Sequence, residues 1–178
     1  MPRATLSASP ATRIRLARAS DLSAVEQIER EQFANPWSRE YFAAELTNRF
    51  SHFYIAEASP ESGCNLPGQV PGCREGPLVG FLLFWRLGGE LELHKIAVGS
   101  AWQRRGHAAR LLEFFVQAGS SWGCERAVLE VRASNVAAIR LYERFAFRPV
   151  GRRRDYYTLP VEDALVYEFV FRGTETEL

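Results

Sequence analysis

The sequence predicts a mixed α/β domain in which helices interrupt a mainly antiparallel sheet of about seven strands. Runs with period two and runs with period 3.6 follow one another in the order β, α, α, β, β, β, α, β, α, β, β. A Gly88-Gly89 pair joins two apolar runs as a tight hairpin turn would, both glycines supplying positive φ. One strand, helix, strand unit, Leu91 to Val131, has the length a parallel crossover needs, so a ligand is expected at the end of its first strand.

Each element has its own signal. A strand over Arg13 to Ala17 runs into Ser20, read as an N-cap, and Leu22, Val25 and Ile28 then fall at helical spacing. Pro36 ends that pattern; Ser38 caps a short helix with Phe42 and Leu46 on one face. Phe53 to Ala58 is extended. The breakers from Pro60 to Pro77 mark residues 59 to 77 as a long loop inserted in the domain. Strands follow at Leu78 to Leu87 and Glu90 to Val98. Leu111, Leu112, Phe115 and Val116 then form a core-facing helical stripe that stops near Gly119 or Gly123. Ala127, Leu129 and Val131 alternate as a strand, and Asn135 caps a helix carrying Ile139, Tyr142 and Phe145. Val150 to Tyr156 and Ala164 to Phe171 are extended.

Composition narrows the function. A chain of 178 residues is one domain's worth: residues 13 to 172, between tails at 1 to 12 and 173 to 178. A net charge of +1 gives no basic excess for a nucleic-acid partner, and Arg152, Arg153 and Arg154 form only a local cluster. Nearly all the positive charge is arginine, Lys95 being the only lysine. Three cysteines, with Cys124 far from Cys64 and Cys73, fit a reducing compartment better than a disulfide framework, although a Cys64 to Cys73 bridge stays open. Their spacing is not that of a zinc site, so no metal is expected. No apolar run is long enough for a membrane span, which points to a cytoplasmic protein. Residues 1 to 20 have arginine and serine but no acid, a composition shared with organellar transit peptides, and are read here as a flexible tail.

The first chemical motif is Gln103-Arg104-Arg105-Gly106-His107-Ala108, between the strand ending Ile96-Ala97-Val98 and the helix that follows. Gly106 permits close backbone approach, and the helix start presents unpaired N–H groups and the positive dipole end to an anionic phosphate. The turn is neither a Walker A sequence nor GxGxxG; taken alone it is also an ordinary polar loop with one glycine. In this setting it resembles the acetyl-CoA signature Q/R-x-x-G-x-G/A of GNAT acetyltransferases. The resemblance implies that Ile96, Ala97 and Val98 hold the pantetheine arm through their backbone, and that Arg104, Arg105, Gly106, His107, Ala108 and Ala109 hold the pyrophosphate.

A second stretch, Leu129-Glu130-Val131-Arg132-Ala133-Ser134-Asn135 with Ala137-Ala138-Ile139 and Leu141-Tyr142-Glu143, is similar within that family to the RimI-type enzymes, which acetylate the N-terminal alanine of a ribosomal protein. Pro36-Trp37-Ser38, Arg153-Arg154-Asp155-Tyr156-Tyr157 and Glu162-Asp163-Ala164 extend the likeness, which covers Ile14 to Phe171. It implies a GNAT-type fold, acetyl-CoA as co-substrate and a protein N-terminal peptide as partner, with the eighteenth small-subunit ribosomal protein foremost. It also assigns Glu130 as general base, Tyr142 as general acid and Asn135 as a CoA contact.

The chemistry suits these types. An α-amine with a pKa of about 8 must lose a proton before it attacks a thioester, which a carboxylate can accept, and a thiolate leaves more readily when a phenol protonates it. Without the resemblance, Glu130 reads as a solvent-facing strand residue and Tyr142 as core packing. His94 and His107 receive no catalytic role, and Trp37 is a packing residue that could also shape a peptide groove. Ala146 stands where the family usually has glycine, so that helix end is expected to be built differently. Other acceptors, namely another protein N-terminus, a lysine or a small amine, and a non-catalytic acyl-CoA-binding module are the alternatives.

Overall fold

A computed structural model describes residues 12–58 and 76–171. The insertion's breakers before Gly76, Cys64, Cys73, the first eleven residues and the last seven lie outside the described residues. Strands β1 (Thr12–Leu16), β2 (Ser51–Ala58), β3 (Leu78–Leu87), β4 (Glu90–Val98), β5 (Arg126–Arg132), β6 (Arg148–Thr158) and β7 (Val161–Val170) form one seven-stranded sheet. Its order is β1-β2-β3-β4-β5-β7-β6, antiparallel throughout except for β4 and β5.

The helices divide between the faces. Leu22, Val25 and Ile28 of α1 (Leu22–Gln32) and Phe42 of α2 (Arg39–Glu45) pack on Phe53, Ile55, Phe81, Leu83 and Ala97 of the sheet. On the other face, Leu111, Leu112 and Phe115 of α3 (His107–Ser121) and Tyr142 of α4 (Val136–Arg144) pack on Leu82, Phe84, Leu91, Leu93, Leu129 and Val131. Both cores follow from the three- and four-residue apolar spacing on the helices and the alternation on the strands.

Several expectations are corrected. Ser20 lies within a 3₁₀ turn (Ala19–Asp21) and is not the cap of α1. Asp21 holds that corner instead, its carboxylate accepting from Arg15 at 2.8 and 2.9 Å and from the Arg18 N–H at 2.7 Å. Of the hairpin glycines only Gly88 has positive φ (60°). Helix α3 runs through Gly119, whose missing side chain lets Leu91 and Phe171 close on the helix, and stops before Gly123 at φ 66°. Ala146 adopts the left-handed conformation of the usual glycine (φ 65°), so the α4 exit keeps that shape and alanine carries the strain.

The register of β4 matters most for the site. Leu83 pairs with Lys95 and Phe84 with Leu93, so His94 is the extra residue of a β-bulge. Leu91 and Leu93 face α3, His94 and Lys95 then both turn to the α1 face, and Ile96 and Val98 return to the α3 side.

Candidate active site

The parallel ladder between β4 and β5 holds only four pairs, ending at Leu93 opposite Leu129. Beyond that rung β4 continues along β3 and β5 along β7, and the edges that faced each other part. On the α1 face the opening is a cleft of about 580 Å³. Phe33 and Trp37, from the connection between α1 and α2, form one wall; Tyr156 and Tyr157 of β6 form another. Glu92, His94 and Glu130 stand on the strands between them.

Glu130 reaches this cleft because Ala127, Leu129 and Val131 point into the α3-side core and the residues between them point the opposite way. Its carboxylate pairs with the Arg153 Nε at 2.9 Å and keeps a quarter of its side chain exposed. The Tyr156 hydroxyl also donates to Glu130, and that bond, with burial and the adjacent negative charge, pushes the phenol up to about 12. The acid therefore sits in a cradle built from the β6 segment.

Tyr142 is placed differently. It is buried in the α3-side core, 5.9 Å from the Phe147 ring centre, and is not among the residues lining the cleft. Burial raises its pKa, and Tyr157 adds to the rise, so the phenol carries its proton at neutral pH. Glu130 and Tyr142 thus belong to opposite faces of the sheet, and Tyr157, which lines the cleft, interacts electrostatically with both.

The turn after β4 ends at Gly106, the residue before α3, in the left-handed region at φ 90°; Arg104 is also left-handed at φ 58°. The first helical bond runs from Arg110 N to Gly106 O at 3.1 Å. The N–H groups of His107, Ala108 and Ala109 precede it and lack an intrahelical acceptor. A phosphate fits such a helix start. The His107 ring does not face outward: it is buried, with Nδ1 2.9 Å from the Thr12 Oγ1, so only its backbone is available there. The Arg105 guanidinium lies over Trp102, 5.2 Å from the ring centre. Ile96 is half-buried; Ala97 and Val98 are buried, and Val98 O accepts from the Gln103 amide at 3.3 Å. Asn135 caps α4 as its sequence suggests, its Oδ1 accepting from Ala138 N at 3.2 Å.

Sequence reasoning missed a group beneath the Phe33–Trp37 wall. Glu29, fully buried, accepts on Oε1 from Lys95 Nζ at 2.6 Å and from Trp37 N at 3.0 Å. Lys95 lies 4.0 Å from the Phe33 ring centre and 4.9 Å from that of Trp37. Burial lowers the pKa of its ammonium and Glu29 offsets part of the drop. A glutamate one residue after Ile28 on the apolar stripe, and a lone lysine in an apolar strand, were the available signals. Among the described residues no cluster of three or more metal-ligating side chains occurs, and no helix is long and apolar enough to cross a membrane.

Known proteins are similar to this chain in sequence and fold. The acetyltransferase (GNAT) family profile matches residues 22–147. The ribosomal protein bS18-alanine N-acetyltransferase of Escherichia coli is 33% identical over 149 residues, covering 83% of this chain and 89% of its own. The N-alpha-acetyltransferase RimI of Mycobacterium tuberculosis is 32% identical over 169 residues, covering 90% and 92%. The crystal structure of the ribosomal-protein-S18-alanine N-acetyltransferase from E. coli superposes with a TM-score of 0.76 at 28% identity, covering 94% of this chain and 98% of that one. With a profile match over most of its length and relatives aligned nearly end to end, the chain belongs to the acetyltransferase (GNAT) family and is an acyltransferase.

Proposed function

We propose that the chain transfers the acetyl group of acetyl-CoA to a protein N-terminal α-amine in the cytoplasm, and that its acceptor is the N-terminal alanine of the eighteenth small-subunit ribosomal protein. The observation that carries the reading is the parting of β4 and β5, which puts a cradled carboxylate, Glu130, at an opening whose first strand leads into an anion-binding helix start. The acceptor is supported by the two relatives named for N-terminal acetylation.

The co-substrate supplies an activated acetyl thioester. The N–H groups of residues 107 to 109, reached over the small Gly106, Ala108 and Ala109, hold its pyrophosphate, with the arginines 104 and 105 nearby. The edge of residues 96 to 98 that β5 leaves, where Val98 O is held by the Gln103 amide, takes the amides of the pantetheine arm, with Asn135 as a further contact. The acceptor amine enters from the Phe33–Trp37 side. Glu130 Oε takes the ammonium proton, directly or through one water, while Arg153 and Tyr156 fix the carboxylate. Tyr142, whose burial keeps its O–H protonated, supplies a proton to the departing sulfur from the opposite face.

The deciding experiment measures acetyl transfer to peptides with a free N-terminal alanine, with other free N-termini, and with a blocked terminus and an internal lysine. Selective modification of the alanine amine is expected; preference for the internal lysine, or acetyl-CoA binding without transfer, would overturn the reading. Glu130→Gln and Tyr142→Phe should each lower kcat by roughly 10²–10⁴-fold and leave acetyl-CoA affinity within about twofold. An equal loss of affinity would contradict the assigned roles.

A further inference from the structure

Nearly every charged side chain lining the cleft has an ion-pair partner. Arg126 sits between Glu90 and Glu168, and Arg132 lies 3.1 Å from Glu162. Arg153 holds Glu130 at 2.9 Å and Lys95 holds Glu29 at 2.6 Å. The exception among the described lining residues is Glu92, with a side chain 47% exposed and only the His94 Nε2, 4.0 Å away, facing it. That nitrogen is buried without a hydrogen-bond partner, and burial lowers the pKa of the imidazole, so His94 is neutral at pH 7 and leaves the carboxylate charge standing.

Resting on the reading of the cleft as the site of a peptide N-terminus, we propose that Glu92 selects the acceptor by binding a cationic side chain, arginine or lysine, at its second or third residue. Position supports that spacing. Glu92 pairs with Val128, two residues before Glu130 on the neighbouring strand. Two residues of strand and one strand spacing separate their backbones by about 8 Å. A peptide whose amine lies at Glu130 advances about 3.5 Å per residue, which brings its second and third side chains to Glu92. His94 shares the α1 face with Glu92, but its ring packs against Trp85, 4.5 Å between ring centres, and brings no positive charge to the carboxylate. The carboxylate is thereby left to a ligand.

The test compares peptides beginning with alanine that carry arginine, glutamine or glutamate at residues two and three, on the wild type, Glu92→Gln and Glu92→Arg. Binding is read by calorimetry in the presence of CoA, which needs no turnover, and KM and kcat are read in parallel. The wild type should bind the arginine peptide about 3- to 10-fold more tightly than the glutamine peptide, with the difference in KM. Glu92→Gln should remove that gap and Glu92→Arg should reverse the order, with acetyl-CoA KM unchanged in both. An arginine preference that survives in Glu92→Gln, or equal binding of all three peptides by the wild type, overturns the proposal. Failure of the underlying reading looks different: no peptide is acetylated, while calorimetry still decides the charge preference.

Discussion

Replacing Lys95 with methionine isolates the ion pair under the cleft wall. Glu29 is fully buried, its Oε2 has no hydrogen-bond partner, and Oε1 is shared by Lys95 and Trp37. Methionine fills much of the space beside Phe33 and Trp37 but strands the carboxylate. Breaking a buried pair from one side costs about 3–5 kcal/mol, since the remaining charge is uncompensated. For a domain of 178 residues each kcal/mol lowers Tm by about 2–4 °C, so Lys95→Met should melt about 6–20 °C below the wild type.

The double variant Glu29→Gln with Lys95→Met removes both charges and keeps a side-chain carbonyl for Trp37 N. It should return to within about 1–2 kcal/mol of the wild type, because an uncharged buried pair avoids the desolvation cost. Thermal melting gives the Tm shift and urea unfolding the free energies, both followed by tryptophan fluorescence. A single variant that melts within 2 °C of the wild type, or a double variant as unstable as the single, would refute the account of Lys95 as the counter-ion that makes Glu29 tolerable.

Two exchanges of glycine and alanine should have opposite signs. Ala146→Gly relieves a left-handed alanine at φ 65° and, after the extra entropy of an unfolded glycine, should stabilise by about 0.5–1 kcal/mol, seen as a higher Tm. Gly119→Ala places a Cβ 2.2 Å from Phe171 Cζ and 2.8 Å from Leu91 Cδ1, and should destabilise by about 1–2 kcal/mol although alanine favours helix; a rise in Tm would show that the contact yields. Hydrogen bonds from Arg15, chiefly, hold the Asp21 carboxyl below its ordinary value of about 3.9. Its contribution is complete above that value and is lost as pH falls through the lower native one. Melting curves from pH 5 to pH 2 should therefore fall more steeply for the wild type than for Asp21→Asn; parallel slopes would remove Asp21 from the acid response.

The elements that carry their own period were legible. The stripe of Leu111, Leu112 and Phe115 and the alternation of Ala127, Leu129 and Val131 gave α3 and β5, and the latter also sets which way Glu130 points. Asn135 as a cap and Gly88 as a turn needed only local rules. What escaped depends on residues distant in sequence. Nothing in Leu93-His94-Lys95 marks a bulge, because the pairing of Leu83 with Lys95 is set by the neighbouring strand. Glu29 and Lys95 are 66 residues apart, and each alone looks like a polar interruption of an apolar pattern. Ser20 and Asp21 are both cap types; Asp21 takes the position before α1, but its carboxylate turns to Arg15 and the Arg18 N–H, residues that no local cap rule names.

On our proposal the parting of β4 and β5 is the feature on which the chemistry turns. In a closed sheet, side chains on opposite faces are separated by the backbone layer, and a base on one face could not share a reacting centre with an acid on the other. Here each strand keeps its outer partner, β3 or β7, so only the facing edges lose their ladder and the sheet stays continuous elsewhere. Unpaired backbone N–H and C=O groups are costly unless a partner meets them. On our proposal that partner is the amide-bearing arm of the co-substrate, which would continue the ladder along residues 96 to 98 and carry its thioester to the level of Glu130. The interrupted pairing would then serve binding and chemistry together: the missing rungs hold the arm, and its thioester stands between the two faces that carry Glu130 and Tyr142.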